Sequence, residues 1–203
     1  MTPLIWTGPI RHHQMVLFST PSDGSCLLHA ILFAYNQNYR LEKQGNKIIS
    51  RHDYTRRLRR ELANLLAAPV NPLDPTSPRH YDLIARGSLG EMSEHHPDYT
   101  LEGMQQTLDS HDPLDYIFFE FIGDVLDKDL YILDEVKQDL LLTGEEDLYQ
   151  KDRPSIVLGY RNNHYELIGL LDENGVTRTL FNPDDPFITQ LKIRRGQIPH
   201  HPT

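Results

Sequence analysis

The sequence contains a single cysteine, Cys26, among its 203 residues. One thiol cannot form an intramolecular disulfide, and it cannot supply the several thiolate ligands of a structural zinc cluster. We therefore expect neither a disulfide framework nor a cysteine-based metal centre. Any chemistry of Cys26 must be that of one reactive group.

The sequence also lacks long apolar runs and an excess of basic residues. No segment approaches the roughly 18 apolar residues of a membrane span, and the N-terminal stretch is short and broken by proline and glycine, unlike a secretory signal. We expect an intracellular, reducing compartment and no membrane association. The net charge of −9 would repel phosphate, so nucleic acid is excluded as the expected partner and a basic protein or peptide is favoured.

The histidines lack the spacing of a metal site. Three adjacent pairs stand at His12–His13, His95–His96 and His200–His201. Adjacent side chains point apart on strands and helices, whereas zinc sites use spaced ligands such as the i, i+4 pair of a helix. We predict solvated histidines, no metal and no cofactor.

The pattern of apolar and turn residues predicts one mixed α+β domain over residues 1–203, with a core at about 15–183. Helical periodicity dominates the first part and strand signals the last third, where Asn174-Gly175 is typical of a hairpin turn. The expected elements are strands at 15–20, 130–133, 155–160, 164–171 and 176–181, helices at 26–35, 53–67 and 114–126, and irregular connections at 69–100 and 134–153.

Cys26 follows a polar turn and opens an apolar helix. A helix N-terminus offers partial positive charge and unpaired N–H groups, which favour a thiolate and can bind an oxyanion. We therefore expect a lowered thiol pKa, with Gly24 allowing close approach of a substrate and Asp23 or Ser22 capping the helix. The alternative for a lone cysteine is a buried small apolar side chain.

His164 stands at the start of an apolar strand, directly after the polar turn 161–163. Glu166 shares a strand face with His164, so its carboxylate could fix the imidazole tautomer and leave the other nitrogen to accept the thiol proton. Taken alone, His164 fits a surface histidine at a strand end better than a catalytic base. An upstream helix cysteine followed by a downstream strand histidine is the order found in papain-like thiol hydrolases.

Two segments resemble a known family. The segment from Asp23 to Ile31 is similar to the Asp-Gly-x-Cys-Leu-aromatic-Arg-Ala box of the ovarian-tumour (OTU) cysteine proteases, and residues 163–166 are similar to their Asn-His-Tyr-acidic box. With the middle elements the resemblance covers about residues 15–183. The compact domain is most similar to versions encoded by large DNA viruses.

The resemblance implies a papain-like OTU fold with a small, mostly antiparallel central sheet flanked by helices and the cysteine at a helix N-terminus. It implies a deubiquitinase that hydrolyses isopeptide bonds of ubiquitin or polyubiquitin, with Cys26 as nucleophile and His164 as general base. The backbone N–H groups around Asp23, Gly24 and Cys26 would form the oxyanion hole.

Three residues depart from the family pattern. Leu28 replaces an aromatic residue and His29 replaces arginine, both of which we expect to be tolerated. Glu166 stands where the family has Asp or Asn. The third member of the triad is therefore open, and the candidates are Glu166, Asp23, Asn182, Asp184 and Asp185.

The expected substrate contacts involve Asn163, Tyr165 and the acidic run Glu145-Glu146-Asp147, which could guide the basic tail of ubiquitin. The connections at 69–100 and 134–153 are the candidate ubiquitin-binding surfaces. Two alternatives stay open: a thiol hydrolase acting on a ubiquitin-like modifier or another amide, and a catalytically inactive ubiquitin-binding module.

Overall fold

The computed structural model describes residues 1–11 and 14–199. The histidine pairs His12–His13 and His200–His201, included in the metal prediction, lie outside the described residues. None of the described helices has the length and apolar character needed to cross a membrane. The strands are β1 (Thr2–Pro3), β2 (Met15–Phe18), β3 (Lys43–Gln44), β4 (Lys47–Ile48), β5 (Asp129–Asp134), β6 (Asp139–Leu140), β7 (Ser155–Arg161), β8 (His164–Leu171) and β9 (Thr177–Arg178).

The α-helices are α1 (Cys26–Tyr35), α2 (Gln37–Leu41), α3 (Arg51–Leu66), α4 (His80–Arg86), α5 (Met92–His95), α6 (Leu101–Leu108), α7 (Phe119–Leu126), α8 (Glu146–Tyr149) and α9 (Pro186–Gln197), with short 3-10 helices at Pro97–Tyr99 and Tyr116–Phe118.

The central sheet has the strand order β1-β2-β8-β7-β5-β6, and β9 also pairs with β8. Its pairs are antiparallel except β5–β7, which are parallel. All six residues of β5 are buried, as the continuous apolar run of this strand predicts. The predicted α+β class with a mostly antiparallel central sheet is confirmed.

Each face of the sheet is covered by its own apolar cluster. One cluster unites α1, α3, α6 and α7 with the sheet and includes Cys26. The other holds the buried side of α9, through Phe187, Ile188 and Leu191, against β5, β7 and β8. Helix α9 lies beyond the predicted elements. The hydrophobic cover of both faces places the first residue of α1 beside the start of β8.

The predicted helix at 114–126 begins later than expected. Asp115 has an extended backbone, and its carboxylate accepts the N–H of Ile117 at 3.0 Å, which starts the 3-10 turn that leads into α7. Leu114 is buried but precedes both helices. Pro113 therefore belongs to the segment that precedes both helices.

The hairpin at Asn174-Gly175 is confirmed, but its returning strand is shorter than predicted. Only Thr177 and Arg178 pair with β8, instead of the whole stretch 176–181. Thr179 turns away to donate to the carbonyl of Ala34 at 2.8 Å, and Phe181 bridges to Ser155 at the start of β7. The chain thus passes the start of β7 instead of continuing along β8.

The connections predicted as irregular hold short elements. Residues 80–99 form α4, α5 and a 3-10 helix, and 134–153 contains β6 and α8. These pieces are only two to seven residues long, and several depend on contacts far away in sequence, which sequence periodicity does not reveal.

Replacing Asp129 tests how the start of β5 is bonded to the segment before β7. This carboxylate is fully buried and accepts hydrogen bonds from Lys151 N, Arg153 N and Arg153 Nε. Asp129→Ala should lower the free energy of unfolding by about 3–5 kcal/mol, because it leaves buried donors unpaired. Asp124→Ala removes a more exposed partner of Arg153 and should cost about 1 kcal/mol. Urea denaturation measures both, and equal losses would contradict this account.

Candidate active site

Cys26 is the first residue of α1 and is 7% exposed. The turn before it is closely covered, because a Cβ atom on Gly24 would lie 1.7 Å from the carbonyl oxygen of His111. Only glycine therefore fits at position 24 while the segment around His111 packs on the turn. The sequence predicted the helix start correctly, whereas the cover over Gly24 is visible only in the structure.

Burial raises the pKa of the Cys26 thiol above its ordinary value. Hydrogen bonding from the backbone of Tyr165 and Leu27 opposes this effect, and the charge of Asp23 adds to it. The predicted net lowering by the helix N-terminus is thus wrong for the resting site, because desolvation outweighs the N–H donors. The thiol is protonated at neutral pH, so its chemistry needs a base.

Asp23 stabilises the cysteine turn from within. Its carboxylate accepts the N–H of Ser25 at 2.8 Å and lies 3.1 Å from Nε2 of His29. Since an ionised carboxylate only accepts, Nε2 of His29 carries the proton, and Nδ1 of the neutral ring accepts from the hydroxyl of Tyr39 at 2.6 Å. His29, in place of the family arginine, therefore still bonds Asp23. Burial lowers the pKa of His29, consistent with a neutral ring.

Arg59 ties the cysteine turn to the segment that covers it. Its guanidinium donates to the carbonyl oxygen of Gly24 and the hydroxyl of Ser25, both at 3.0 Å. It also donates to three carbonyl oxygens of the covering segment, those of Thr107, Leu108 and Asp112, at 2.7–2.8 Å. Arg59 is only 3% exposed. Its spacing from the buried Leu62 and Leu66 places Arg59 on the inner face of α3.

His164 lies at the base of a tight hairpin between β7 and β8. Asn162 and Asn163 both have positive φ, 51° and 61°, as a two-residue turn of the I′ type requires. Arg161 pairs directly with His164 across the turn. The backbone of the next residue, Tyr165, bonds the thiol of Cys26, so the hairpin brings the His164 position to the cysteine.

Thr20 fixes the orientation of His164. The Thr20 hydroxyl donates to the carbonyl oxygen of Tyr165 at 2.6 Å and lies 3.2 Å from Nε2 of His164. Because its one proton is used on Tyr165, the hydroxyl must accept from Nε2–H. This contact selects the tautomer in which Nδ1, and not Nε2, is the unprotonated nitrogen of a neutral ring. Sequence reasoning missed Thr20, because its contact depends on the pairing of β2 with β8, distant segments with no local signal.

The carboxylates proposed for the third position do not bond His164 in the described part of the chain. Glu166 lies opposite Gly159 and near Glu135, whose pKa is raised by burial and by the charge of Glu166. Asp23 bonds within the cysteine turn. Asp185 accepts from Phe187 N and pairs with Arg178, so it caps α9.

Asn182 and Asp184 are exposed in the turn before α9. The carbonyl oxygen of Asn182 accepts the N–H of Asp185 there. The residues 182–185 therefore shape the start of α9, and among the described residues it is the Thr20 hydroxyl that lies within hydrogen-bond distance of His164.

Backbone donors are available beside the thiol. Within the described residues, the N–H groups of Asp23 and Gly24 have no backbone or side-chain acceptor, and the N–H of Cys26 makes a long bond of 3.3 Å to the carbonyl oxygen of Asp23. N–H groups at this position can bind a developing oxyanion. The predicted oxyanion-hole residues thus lie together in the turn.

The predicted substrate contacts differ in accessibility. Asn163 is exposed and accepts from the Tyr160 hydroxyl at 2.7 Å, whereas Tyr165 is buried against Phe119 and Tyr160. In the acidic run, Glu146 is buried and accepts from Thr143 N, Gly144 N and the Tyr149 hydroxyl. Its carboxylate stabilises its own loop, which leaves Glu145 half-buried and Asp147 exposed.

Within residues 1–11 and 14–199, no three His, Cys, Asp or Glu side chains lie close enough together to hold a metal ion. The His95–His96 pair lies at the end of α5, and His96 contacts Tyr99.

This chain is similar to solved structures of OTU domains. An ovarian tumor (OTU) domain in complex with ubiquitin aligns with a TM-score of 0.53 and 16% identity, covering 90% of this chain and 83% of that chain. The viral OTU domain protease from Taggert virus aligns with a TM-score of 0.45 and 15% identity, covering 82% and 84% of the two chains. The sequence matches no protein-family model and no curated protein. The chain therefore has the OTU fold, as the sequence resemblance predicted.

Arg59→Lys tests whether the guanidinium holds the cysteine turn. A lysine keeps the charge but cannot donate to five acceptors in a planar fork. We expect a loss of about 2–4 kcal/mol in the free energy of unfolding, because several buried acceptors are left unpaired. Arg57→Lys, on the exposed side of the same helix, should change it by less than about 0.5 kcal/mol. Urea denaturation measures the free energy of unfolding of both variants. Similar losses in the two would contradict this role.

Proposed function

We propose that this protein is a cysteine-dependent deubiquitinase of the OTU kind, with Cys26 as nucleophile and His164 as general base. The observation that carries the proposal is the oriented His164 ring. Thr20 receives its Nε2–H, and the backbone of the next residue bonds the Cys26 thiol. A free thiol of this kind suits a reducing, intracellular compartment.

The first step is proton transfer. Because burial keeps Cys26 protonated at neutral pH, the unprotonated Nδ1 of His164 takes the thiol proton as sulfur attacks. The reacting carbon is the carbonyl of the terminal glycine of ubiquitin, bonded to a lysine Nε of the conjugate. The Thr20 hydroxyl then stabilises the imidazolium by accepting from Nε2–H.

The attack converts the carbonyl oxygen to an oxyanion, which the N–H groups of the cysteine turn would bind. Collapse breaks the C–N bond, and the imidazolium gives its proton to the departing lysine amine. A water molecule, deprotonated by His164, then attacks the thioester, releasing the ubiquitin carboxylate and the Cys26 thiol. The cycle consumes one water and needs no cofactor.

Charge supports a basic substrate tail. The protein carries a net charge of −9, and the exposed Asp147 and half-buried Glu145 lie in the loop between β6 and β7. Such a field would raise the rate of encounter with the basic tail of ubiquitin and weaken as salt rises. The ubiquitin complex of the similar OTU domain supports the same substrate class.

A ubiquitin probe with a C-terminal electrophile tests the substrate class. We expect a covalent adduct on Cys26, absent in Cys26→Ala and slowed by orders of magnitude in His164→Ala, because base and nucleophile act as a unit. Mass spectrometry identifies the labelled residue. Iodoacetamide labelling of the wild type is the control for thiol reactivity.

Iodoacetamide labelling without a ubiquitin adduct would overturn the proposed substrate. Probes built on ubiquitin-like modifiers then test the first alternative. Adduct formation without any cleavage of polyubiquitin would instead favour an inactive binding module.

Thr20→Val tests the orienting hydroxyl. It removes the acceptor for Nε2–H and should lower kcat about 10–100-fold with little change in KM, since the group acts on the base and not on the substrate. Thr20→Ser, which keeps the hydroxyl, should restore most of the activity. The NMR tautomer signature of His164 should also shift away from Nε2–H in Thr20→Val alone.

Glu166→Gln is the comparison for this test. It should stay within a few-fold of the wild type, because the carboxylate makes no hydrogen bond to His164. A larger loss in Glu166→Gln than in Thr20→Val would show that Glu166 moves into the triad during turnover.

A further inference from the structure

A basic cleft lies behind the cysteine turn, between α3 and the segment that follows α6. It encloses about 330 Å³. One wall carries His52, Arg56 and Arg60, and the other carries Asp109, Ser110 and His111. The three residues of α3 recur at i, i+4 and i+8, so the helix aims one stripe of positively charged and ionisable groups into the cleft.

Carboxylates compensate little of this charge. Among the described residues, Arg56 has neither an ion pair nor a hydrogen bond, and the guanidinium of Arg60 reaches only Asp109, at 3.7 Å. Like charges spaced by four residues on a helix repel each other. Both guanidinium groups therefore have donors available for an anion in the cleft.

Donors from both walls converge on the cleft. The rings of His52 and His111 lie nearly parallel, 15° apart in plane, with centroids separated by 6.2 Å. Ring N–H groups and two guanidinium groups can therefore donate from different directions. A tetrahedral dianion with three terminal oxygens matches such donors better than a planar carboxylate does.

We propose that this cleft is a binding site for a phosphate group, either inorganic phosphate or a phosphate monoester on a side chain. The site is separate from the Cys26 thiol. A phosphate bound there would stabilise the cysteine turn. Its outer wall is the same segment that Arg59 ties to Gly24 and Ser25.

The test is a titration of the whole protein with sodium phosphate at constant ionic strength, which sodium chloride maintains. The melting temperature is measured at each phosphate concentration. We expect a saturable rise in the wild type and in Arg57→Gln, the matched control on the same helix outside the cleft. The double variant Arg56→Gln/Arg60→Gln should raise the apparent Kd by about tenfold or more. An equal rise in all three proteins would reveal a general salt effect and overturn the site, as would no rise at all.

A second measurement uses only the wild type, so it tests the site even if the double variant is destabilised. In an amide NMR titration of the wild type, phosphate should shift the signals of Ser110, His111 and Arg56, and shifts confined to other regions would overturn the proposal. N-acetyl phosphoserine amide is the second ligand. Tighter binding than inorganic phosphate would assign the site to a phosphorylated side chain, and weaker binding would assign it to the free anion.

Discussion

The shape of the candidate active site depends on one buried cation, Arg59. Its guanidinium joins the turn before Cys26 to the segment between α6 and α7, using acceptors on both sides. The turn has little regular structure of its own, so these bonds, together with the contact of His111 on Gly24, define its shape. Because a buried guanidinium is stable only when its donors are satisfied, the two segments and Arg59 must assemble together.

The same packing sets the chemistry of the thiol. A cysteine placed at a helix N-terminus gains N–H donors, but the apolar cluster around α1 removes water from it. Desolvation is the larger effect here, and the thiol is held protonated. The resting thiol is thus neutral.

The orientation of His164 depends on a hydroxyl group, that of Thr20. Thr20 and His164 lie on antiparallel neighbours, one just past the end of β2 and the other at the start of β8. A hydroxyl that donates to a backbone carbonyl has only acceptor capacity left, so it selects the same tautomer that a carboxylate would select. It does so without adding a negative charge next to the imidazole ring.

Local signals in the sequence determined a large part of this protein. The helix that begins at Cys26, the strands around His164 and the hairpin at Asn174-Gly175 follow from periodicity and turn residues, and the two boxes indicated the OTU fold. Only the tertiary structure decided that Thr20, and not Glu166 or Asp23, bonds His164, and that Arg59 is buried while Glu146 bonds its own loop. The physical reason is range: helix starts and turns are set by neighbours in sequence, whereas hydrogen bonds and desolvation are set by strands and segments that meet only when the chain folds.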